Sequence, residues 1–439
     1  MNAIANAGGE ASGGARKGVH GGNRPFPRWA IVVAAAALPR LVVLLVERRD
    51  ILTAFTEKSD DIAQTFVKTG TFGFIPGHPT AWTQPLYAWF LIPIYWIFGR
   101  SWWAVGLIQI AVAVGTALLV YELGRRFVSQ RVGLVAAVVA TLNPYLVWHD
   151  VHENREILDQ FLAVAVVLLV MILAARRSLW LAAVLGLALG LAILGNTRLL
   201  FLPILCCAFL VGRERRTWAV VGVVLAGCVL TLLPWMVRNR VQVGCFTVTT
   251  DTRALWKANN PNTYGTLAQG KWIDDVPPLP NEPPTPEFAG AYYKVYGKVL
   301  PVDECARMRV YRHLVFEFWR NHPGEKAKLA GQATEMLWDP QAIRTEGRAE
   351  SGGTVDKLRS WAQPAYSVPL FLLGLLGVWL LPGRLALLGV ALLAYQTLVA
   401  IGFAGATRYR VPWDFLIALA VAAAAWWGLD RVRRRRPEP

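Results

Sequence analysis

Apolar stretches of membrane-spanning length recur along the chain, separated by short basic segments or longer polar ones. A helix needs about 20 mostly apolar residues to cross a bilayer. Stretches 29–46, 102–123, 132–148, 156–174, 179–194, 199–211, 218–237, 364–381, 385–403 and 411–429 approach that length. The pattern predicts an all-α polytopic membrane protein with about 10 transmembrane helices. Run 86–98 is read differently: at about 13 residues it is as short as 199–211, but it is rich in Trp and Tyr, which favour the interface. It is expected to lie in the interface or re-enter rather than cross. Residues 62, 63, 66 and 67 are apolar at helical spacing, so a juxtamembrane amphipathic helix is expected just before it.

Basic residues orient this pattern. Arg125, Arg126 and Arg131, then Arg176 and Arg177, then Arg213, Arg215 and Arg216, then Arg431 and 433–436 follow alternate spans. Short basic loops favour the cytoplasm, so both termini are expected there. Had 86–98 crossed, most basic loops would lie on the wrong side. The chain divides into a disordered cytoplasmic tail (1–28), an N-terminal transmembrane module (29–237) with a first outer loop (48–101), an extracytoplasmic region (238–362), C-terminal transmembrane helices (363–429) and a basic tail (430–439). The expected location is a bacterial inner membrane, multi-pass, with the site on the extracytoplasmic side.

Composition agrees: the 439 residues are 55% hydrophobic and only 17% charged. The net charge of +16 sits in inner loops and the C-terminus, so it argues for membrane orientation and not for nucleic acid. No Walker loop or GxGxxG stands in the sequence, so nothing suggests ATP or a dinucleotide. Cys206, Cys207 and Cys228 fall in spans and read as small apolar filler. Cys245 and Cys305 both fall in the extracytoplasmic region, where disulfides persist, and are expected to pair.

With this topology the unusual polar residues converge on the outer face. Asp60 and Asp61 open the amphipathic helix. A general base for an acceptor hydroxyl is one reading, and capping or dipole pairing the other. Glu57, His78 and Tyr87, in the same loop, are candidate acceptor-side cavity residues, together with Asn259, Asn260 and Tyr409. His149, Asp150, His152 and Glu153 offer a candidate set for a divalent metal ion, against the alternative of a solvated loop. No other cofactor is indicated. Glu156 is a further catalytic candidate, expected at the rim of the cavity because a span follows at once. Arg408 and Arg410 flank Tyr409 at the start of the last span and suit a phosphate, against plain interfacial anchoring. Arg198 is either a second phosphate ligand or a headgroup anchor. Arg40, inside the first stretch, either pairs with an acid from another helix or snorkels. Asn259 and Asn260 lie in the extracytoplasmic region.

Taken in order, these pieces look familiar. The acidic pair at 60–61 leads to Gly70-Thr71-Phe72-Gly73-Phe74 and then to Pro79-Thr80-Ala81-Trp82-Thr83-Gln84-Pro85-Leu86-Tyr87. Leu142-Asn143-Pro144 leads to Glu156. Pro234-Trp235-Met236-Val237-Arg238-Asn239 leads to Gly244 and Ala258-Asn259-Asn260-Pro261. Arg408-Tyr409-Arg410-Val411-Pro412 closes the series. The series resembles the C-type membrane glycosyltransferases, in particular the family 39-like branch related to protein O-mannosyltransferases and the lipid A aminoarabinose transferase. The resemblance covers about residues 50–415. It implies an inverting transfer of sugar from a polyprenyl-phosphate donor to a lipid, glycan or protein acceptor on the outer face. It maps the base onto Asp60 or Asp61, and donor phosphate onto Arg408 and Arg410. Gln84 stands where many relatives have proline. Two rivals share the outer arginines: a transporter or flippase of a lipid-linked sugar, and a glycan ligase or polymerase.

Overall fold

The computed structural model describes residues 27–53, 58–341 and 354–434. Glu57 and almost all of the expected tail 1–28 lie outside them. Among the described residues the regular structure is helical, apart from one isolated bridge between Ile75 and His78.

The N-terminal half runs through α1 (Arg28–Val46), α2 (Lys58–Thr69), α3 (Pro85–Phe98), α4 (Trp102–Phe127), α5 (Gln130–Thr141), α6 (Pro144–His149), α7 (Glu156–Arg176), α8 (Leu179–Gly195), α9 (Leu202–Leu210) and α10 (Arg215–Gln242). A cap region follows with α11 (Arg253–Lys257), α12 (Thr263–Ala268), α13 (Pro286–Tyr296), α14 (Glu304–Asn321) and α15 (Pro323–Trp338). The chain ends with α16 (Thr354–Gly377), α17 (Gly383–Gly402), α18 (Thr407–Arg410) and α19 (Asp414–Arg434).

Seven helical stretches are long and apolar enough to cross a membrane: α1, α4, α7, α10, 360–380, α17 and 407–431. The other three expected spans fold as shorter helices. Stretch 132–148 is not continuous, because Asn143 accepts from the Tyr145 N–H at 3.0 Å and Pro144 starts a new helix. Proline suits the first turn of a helix but breaks an interior, which explains the division into α5 and α6. Stretches 179–194 and 199–211 become α8, with 17 residues, and α9, with 9. The interfacial run becomes α3, 14 residues long, with Trp96 and Ile97 exposed at its end.

Close packing builds the bundle. α8 lies against α10 at Gly186 and Gly190, where an added Cβ would come within 2.5 Å of the Val224 carbonyl and of Thr231. Small residues at such a spacing let two helices approach closely in lipid. The amphipathic helix forms as α2, with Ile62 and Ala63 fully buried. Arg40 pairs rather than snorkels: it meets Asp150 at 2.7 Å with both groups about 1% exposed.

The cap region is fastened to the loop between α2 and α3. Cys245 and Cys305 form the expected disulfide. Next to it, Glu304 accepts from Thr80 Oγ1 at 2.5 Å, Thr250 Oγ1 at 2.6 Å and the Ala81 N–H at 3.1 Å. Arg238, at the end of α10, donates to the Thr80 and Phe72 carbonyls at 2.7 and 3.1 Å. These bonds settle Trp82, 2% exposed, beneath the cap. Burying an aromatic side chain of this kind is worth about 3 kcal/mol.

Candidate active site

Asp60 and Asp61 share the first turn of α2, where the helix dipole favours carboxylates. Their partners separate them. Asp61 faces outward, 40% exposed, and pairs with Lys294 of α13 at 2.5 Å. Asp60 faces inward and is buried. Arg100 grips it as a fork, with Nε 3.0 Å from Oδ1 and Nη2 2.9 Å from Oδ2. Gln64 donates to Oδ2 at 3.0 Å. Tyr95 Oη lies 2.7 Å from Asp60 Oδ1 and 2.5 Å from Glu153 Oε1. Burial, then the Asp60 charge, pushes the Glu153 carboxyl up to about 8. Burial, with both carboxylates beside it, also pushes the Tyr95 phenol well up.

A second cluster stands beside the first. Glu156, in the first turn of α7, pairs with Arg408 at 2.6 Å, and Arg155 Nε lies 3.8 Å away. Arg155 donates to Gln84 Oε1 at 3.0 Å, and Gln84 Nε2 donates to Thr197 at 3.1 Å. Arg198 stacks 3.2 Å over the Tyr409 ring and donates to Asn196 Oδ1 at 3.0 Å. Asn196 in turn donates to Asp159 at 2.8 Å. Among the described residues, Glu156 Oε2 and Arg198 Nη1 are buried and have no hydrogen-bond partner. Three guanidinium groups from three chain segments thus face two acids, a surplus of positive charge suited to an anion.

Segment 150–156 joins the two clusters. Glu153 reaches Asp60 through Tyr95, and Glu156 meets Arg408. Its own position is fixed by Arg40 on Asp150 and by Gln109, which donates to the Asp150 and His152 carbonyls at 2.9 and 2.7 Å. Tyr87 donates to Gln109 Oε1 at 2.8 Å, so it supports this segment from behind.

Other expected residues lie elsewhere. Arg410 is fully buried, donates to the Leu337 and Asp339 carbonyls at 2.8 and 3.0 Å and pairs with Asp414 at 3.2 Å. It anchors α15 to the start of α19, so Arg408 alone of the two joins the charged cluster. Asn259 accepts from Trp319 Nε1 at 2.8 Å and from Lys326 and donates to the Gly402 carbonyl at 3.2 Å. Asn260 braces its own turn, donating to the Trp256 carbonyl at 3.0 Å. His78 lines a separate cavity of about 530 Å³ with Gln242, Asp303, Glu304 and Arg309. The candidate metal set does not gather. Asp150 belongs to Arg40 and Glu153 to Tyr95, while the His149 and His152 rings stack on Tyr145 and Trp148 at 3.8 and 3.9 Å. Among the described residues no three His, Cys, Asp or Glu side chains come together as a metal site.

Sequence reasoning passed over Arg100, Tyr95 and Asp159 and gave Arg155 no role of its own. Asp159 carried a signal: an acid three residues into a span is costly without a partner. Arg100, alone after an aromatic helix, carried another. Tyr95 carried none, because its aromatic neighbours made it look like one more interfacial ring.

Comparison with known proteins agrees with this architecture. Residues 77–237, less than half of the chain, match the family described as dolichyl-phosphate-mannose-protein mannosyltransferase. The oligosaccharyltransferase of Archaeoglobus fulgidus, tethered with an acceptor peptide, aligns with 93% of this chain and 50% of its own at 14% identity, TM-score 0.51. Its apo form aligns with 93% and 52% at 12% identity, TM-score 0.50. ArnT from Cupriavidus metallidurans, bound to undecaprenyl phosphate, aligns with 93% and 80% at 14% identity, TM-score 0.42. The chain spans about half the length of the oligosaccharyltransferase chains it matches. No curated protein sequence matches it. Over 93% of its length the chain thus has the fold of the oligosaccharyltransferase, a polytopic membrane fold. The segment 77–237, which carries part of the ordered motifs, is similar to the protein-mannosyltransferase family.

Proposed function

We propose that the protein is an inverting glycosyltransferase that moves a sugar from a polyprenyl-phosphate donor to an acceptor hydroxyl on the extracytoplasmic side of a bacterial inner membrane. One observation carries this reading: segment 150–156 reaches an inward carboxylate, Asp60, through Tyr95 and also joins a three-arginine cluster around Glu156.

The chemistry follows from these two clusters. Arg408, Arg198 and Arg155 hold the donor phosphate, and Arg408 exchanges Glu156 for it. As the bond between the anomeric carbon and the phosphate oxygen breaks, its electron pair stays on the phosphate. Fixed guanidinium groups near low dielectric stabilise that charge as it develops. The acceptor oxygen attacks the opposite face of the sugar while Asp60 takes its proton. A single displacement inverts the centre and needs one base, unlike the two-carboxylate scheme of retaining enzymes. The apolar groove of about 250 Å³ between α16, α17 and α19, lined by Phe371, Leu385 and Ile417, suits part of a polyprenyl chain. His78 and the cavity it lines suit a role on the acceptor side.

The test uses purified protein in nanodiscs and radiolabelled polyprenyl-phosphate sugars, with donor loss as the readout. Asp60→Asn is expected to lower the rate by about 10²–10⁴-fold, the usual worth of a general base. Asp61→Asn is expected to stay close to wild type. Equal losses in both variants would remove Asp60 as the base. Donor bound but never consumed, by any protein in the set, would favour the flippase.

A further inference from the structure

Tyr95 sits between two carboxylates, and its proton cannot serve both. Tyr95 Oη is 2.7 Å from Asp60 Oδ1 and 2.5 Å from Glu153 Oε1. A phenol has one O–H to donate. If both carboxylates were ionised, one of these short contacts would bring two oxygens together without a hydrogen. The cluster therefore needs one more proton than Tyr95 supplies, carried by Asp60 or by Glu153.

The surroundings choose between them. Asp60 takes Arg100 as a fork, with contacts of 2.9–3.2 Å, and also accepts from Gln64. Each of those donors favours the anion. Glu153 is fully buried, and Arg100 comes no nearer to it than 3.8 Å. Its second oxygen is buried and, among the described residues, has no hydrogen-bond partner. An ionised carboxylate with a bare oxygen would be costly there, whereas a neutral carboxyl leaves only a weak acceptor unpaired. The titratable groups facing Glu153 are Asp60 on α2, Tyr95 on α3 and Arg100 between α3 and α4.

We propose that Glu153 is a neutral carboxylic acid that donates to Tyr95, which donates to Asp60, so that Asp60 is held as the single anion of the cluster. Glu153 is a positioning residue: it touches no substrate and acts through Tyr95. Two effects follow from the extra proton. It keeps a second negative charge away from Asp60, and it points the Tyr95 O–H at Asp60 Oδ1. The carboxylate is thereby fixed in one orientation. The functional part of this inference rests on the reading of Asp60 as the base; the proton count does not.

Infrared spectroscopy of the full chain in nanodiscs tests the count without any substrate. At neutral pH the wild type is expected to show a protonated-carboxyl band that shifts in D2O, persists in Asp61→Asn and is lost in Glu153→Gln. Because Glu153→Gln alters a buried site, the same band is also followed in wild type as pH rises, where it should fade. A spectrum unchanged by Glu153→Gln, or a band with no response to alkali, overturns the proposal. Donor turnover supplies the second readout. Above the Glu153 transition the wild-type rate should fall about tenfold per pH unit, as the protonated fraction does. Glu153→Gln, which keeps a donor for Tyr95 without titrating, should lose that alkaline fall. An alkaline fall that survives in Glu153→Gln removes the link to Asp60. Absence of turnover with every donor, while the infrared result holds, defeats the transferase reading and leaves the proton assignment standing.

Discussion

Asp150→Ala is the most informative change away from the site. Arg40 lies inside a membrane span and is 1% exposed. It gives two bonds to Asp150 Oδ2, at 2.7 and 2.9 Å, and others to the Ala36 and Thr141 carbonyls. Removing Asp150 leaves the guanidinium buried with neutral acceptors only. Breaking a buried pair in this way costs about 3–5 kcal/mol. At roughly 2 °C per kcal/mol for a large chain, the melting temperature should fall by about 6–10 °C. Replacing both partners by apolar residues, Arg40→Met with Asp150→Leu, should cost much less than the sum of the single changes, because no bare charge remains. The assay is thermal unfolding in one detergent, at one scan rate, followed by tryptophan fluorescence, since such unfolding is commonly irreversible. A fall under about 2 °C for Asp150→Ala, or strict additivity in the double variant, would refute the account of segment 150–156 as held by this pair.

The remaining predictions concern charge and cross-linking. Glu153 has its folded-state pKa raised from 4.5 to about 8, so the stability it contributes is full below about pH 4.5 and is lost as pH rises through about 8. Melting temperature should therefore decline over that window in wild type and less steeply in Glu153→Gln. Arg198→Ala and Arg408→Ala should each weaken binding of a polyprenyl-phosphate sugar by about tenfold or more, the worth of a charge-assisted hydrogen bond, with a smaller effect from Arg410→Lys. Isothermal titration in nanodiscs measures this; unchanged affinity in Arg408→Ala would remove it from the phosphate site. Replacing Cys245 and Cys305 by serine opens a 60-residue loop, worth about 4 kcal/mol of unfolded-state entropy. Faster proteolysis within 250–341 should reveal a looser cap, with the spans intact.

Much of the fold could be read from hydrophobic length and basic loops, because the bilayer imposes both. α1, α4, α7, α10 and α17 coincide closely with expected spans. Breaks were harder to read. Asn143-Pro144 divides one expected span, yet proline is tolerated inside α1 and α10, so its presence alone does not decide. The clustering was legible where an ionisable group stood beside an apolar run, as at Asp60, Glu156, Arg198 and Arg408. It was not legible where direction mattered. Asp60 and Asp61 are equivalent on paper, and only the helix phase turns one inward. Arg408 and Arg410 differ likewise, because a short helix aims two neighbours at different partners. The metal candidates part for a related reason: His149, Asp150, His152 and Glu153 are close in sequence, but Arg40, Tyr95 and two aromatic rings each draw one aside.

The cap region is fastened unevenly along its two sides. On one side a covalent bond and Glu304 bind it through buried contacts. On the other, α13 meets α2 through Lys58 with Glu287 and Lys294 with Asp61, all partly exposed. Dissolved salt screens the second kind of contact and hardly reaches the first. The ionic strength of the surrounding medium therefore weakens the contacts between α13 and α2 first, and α2 is the helix that carries Asp60.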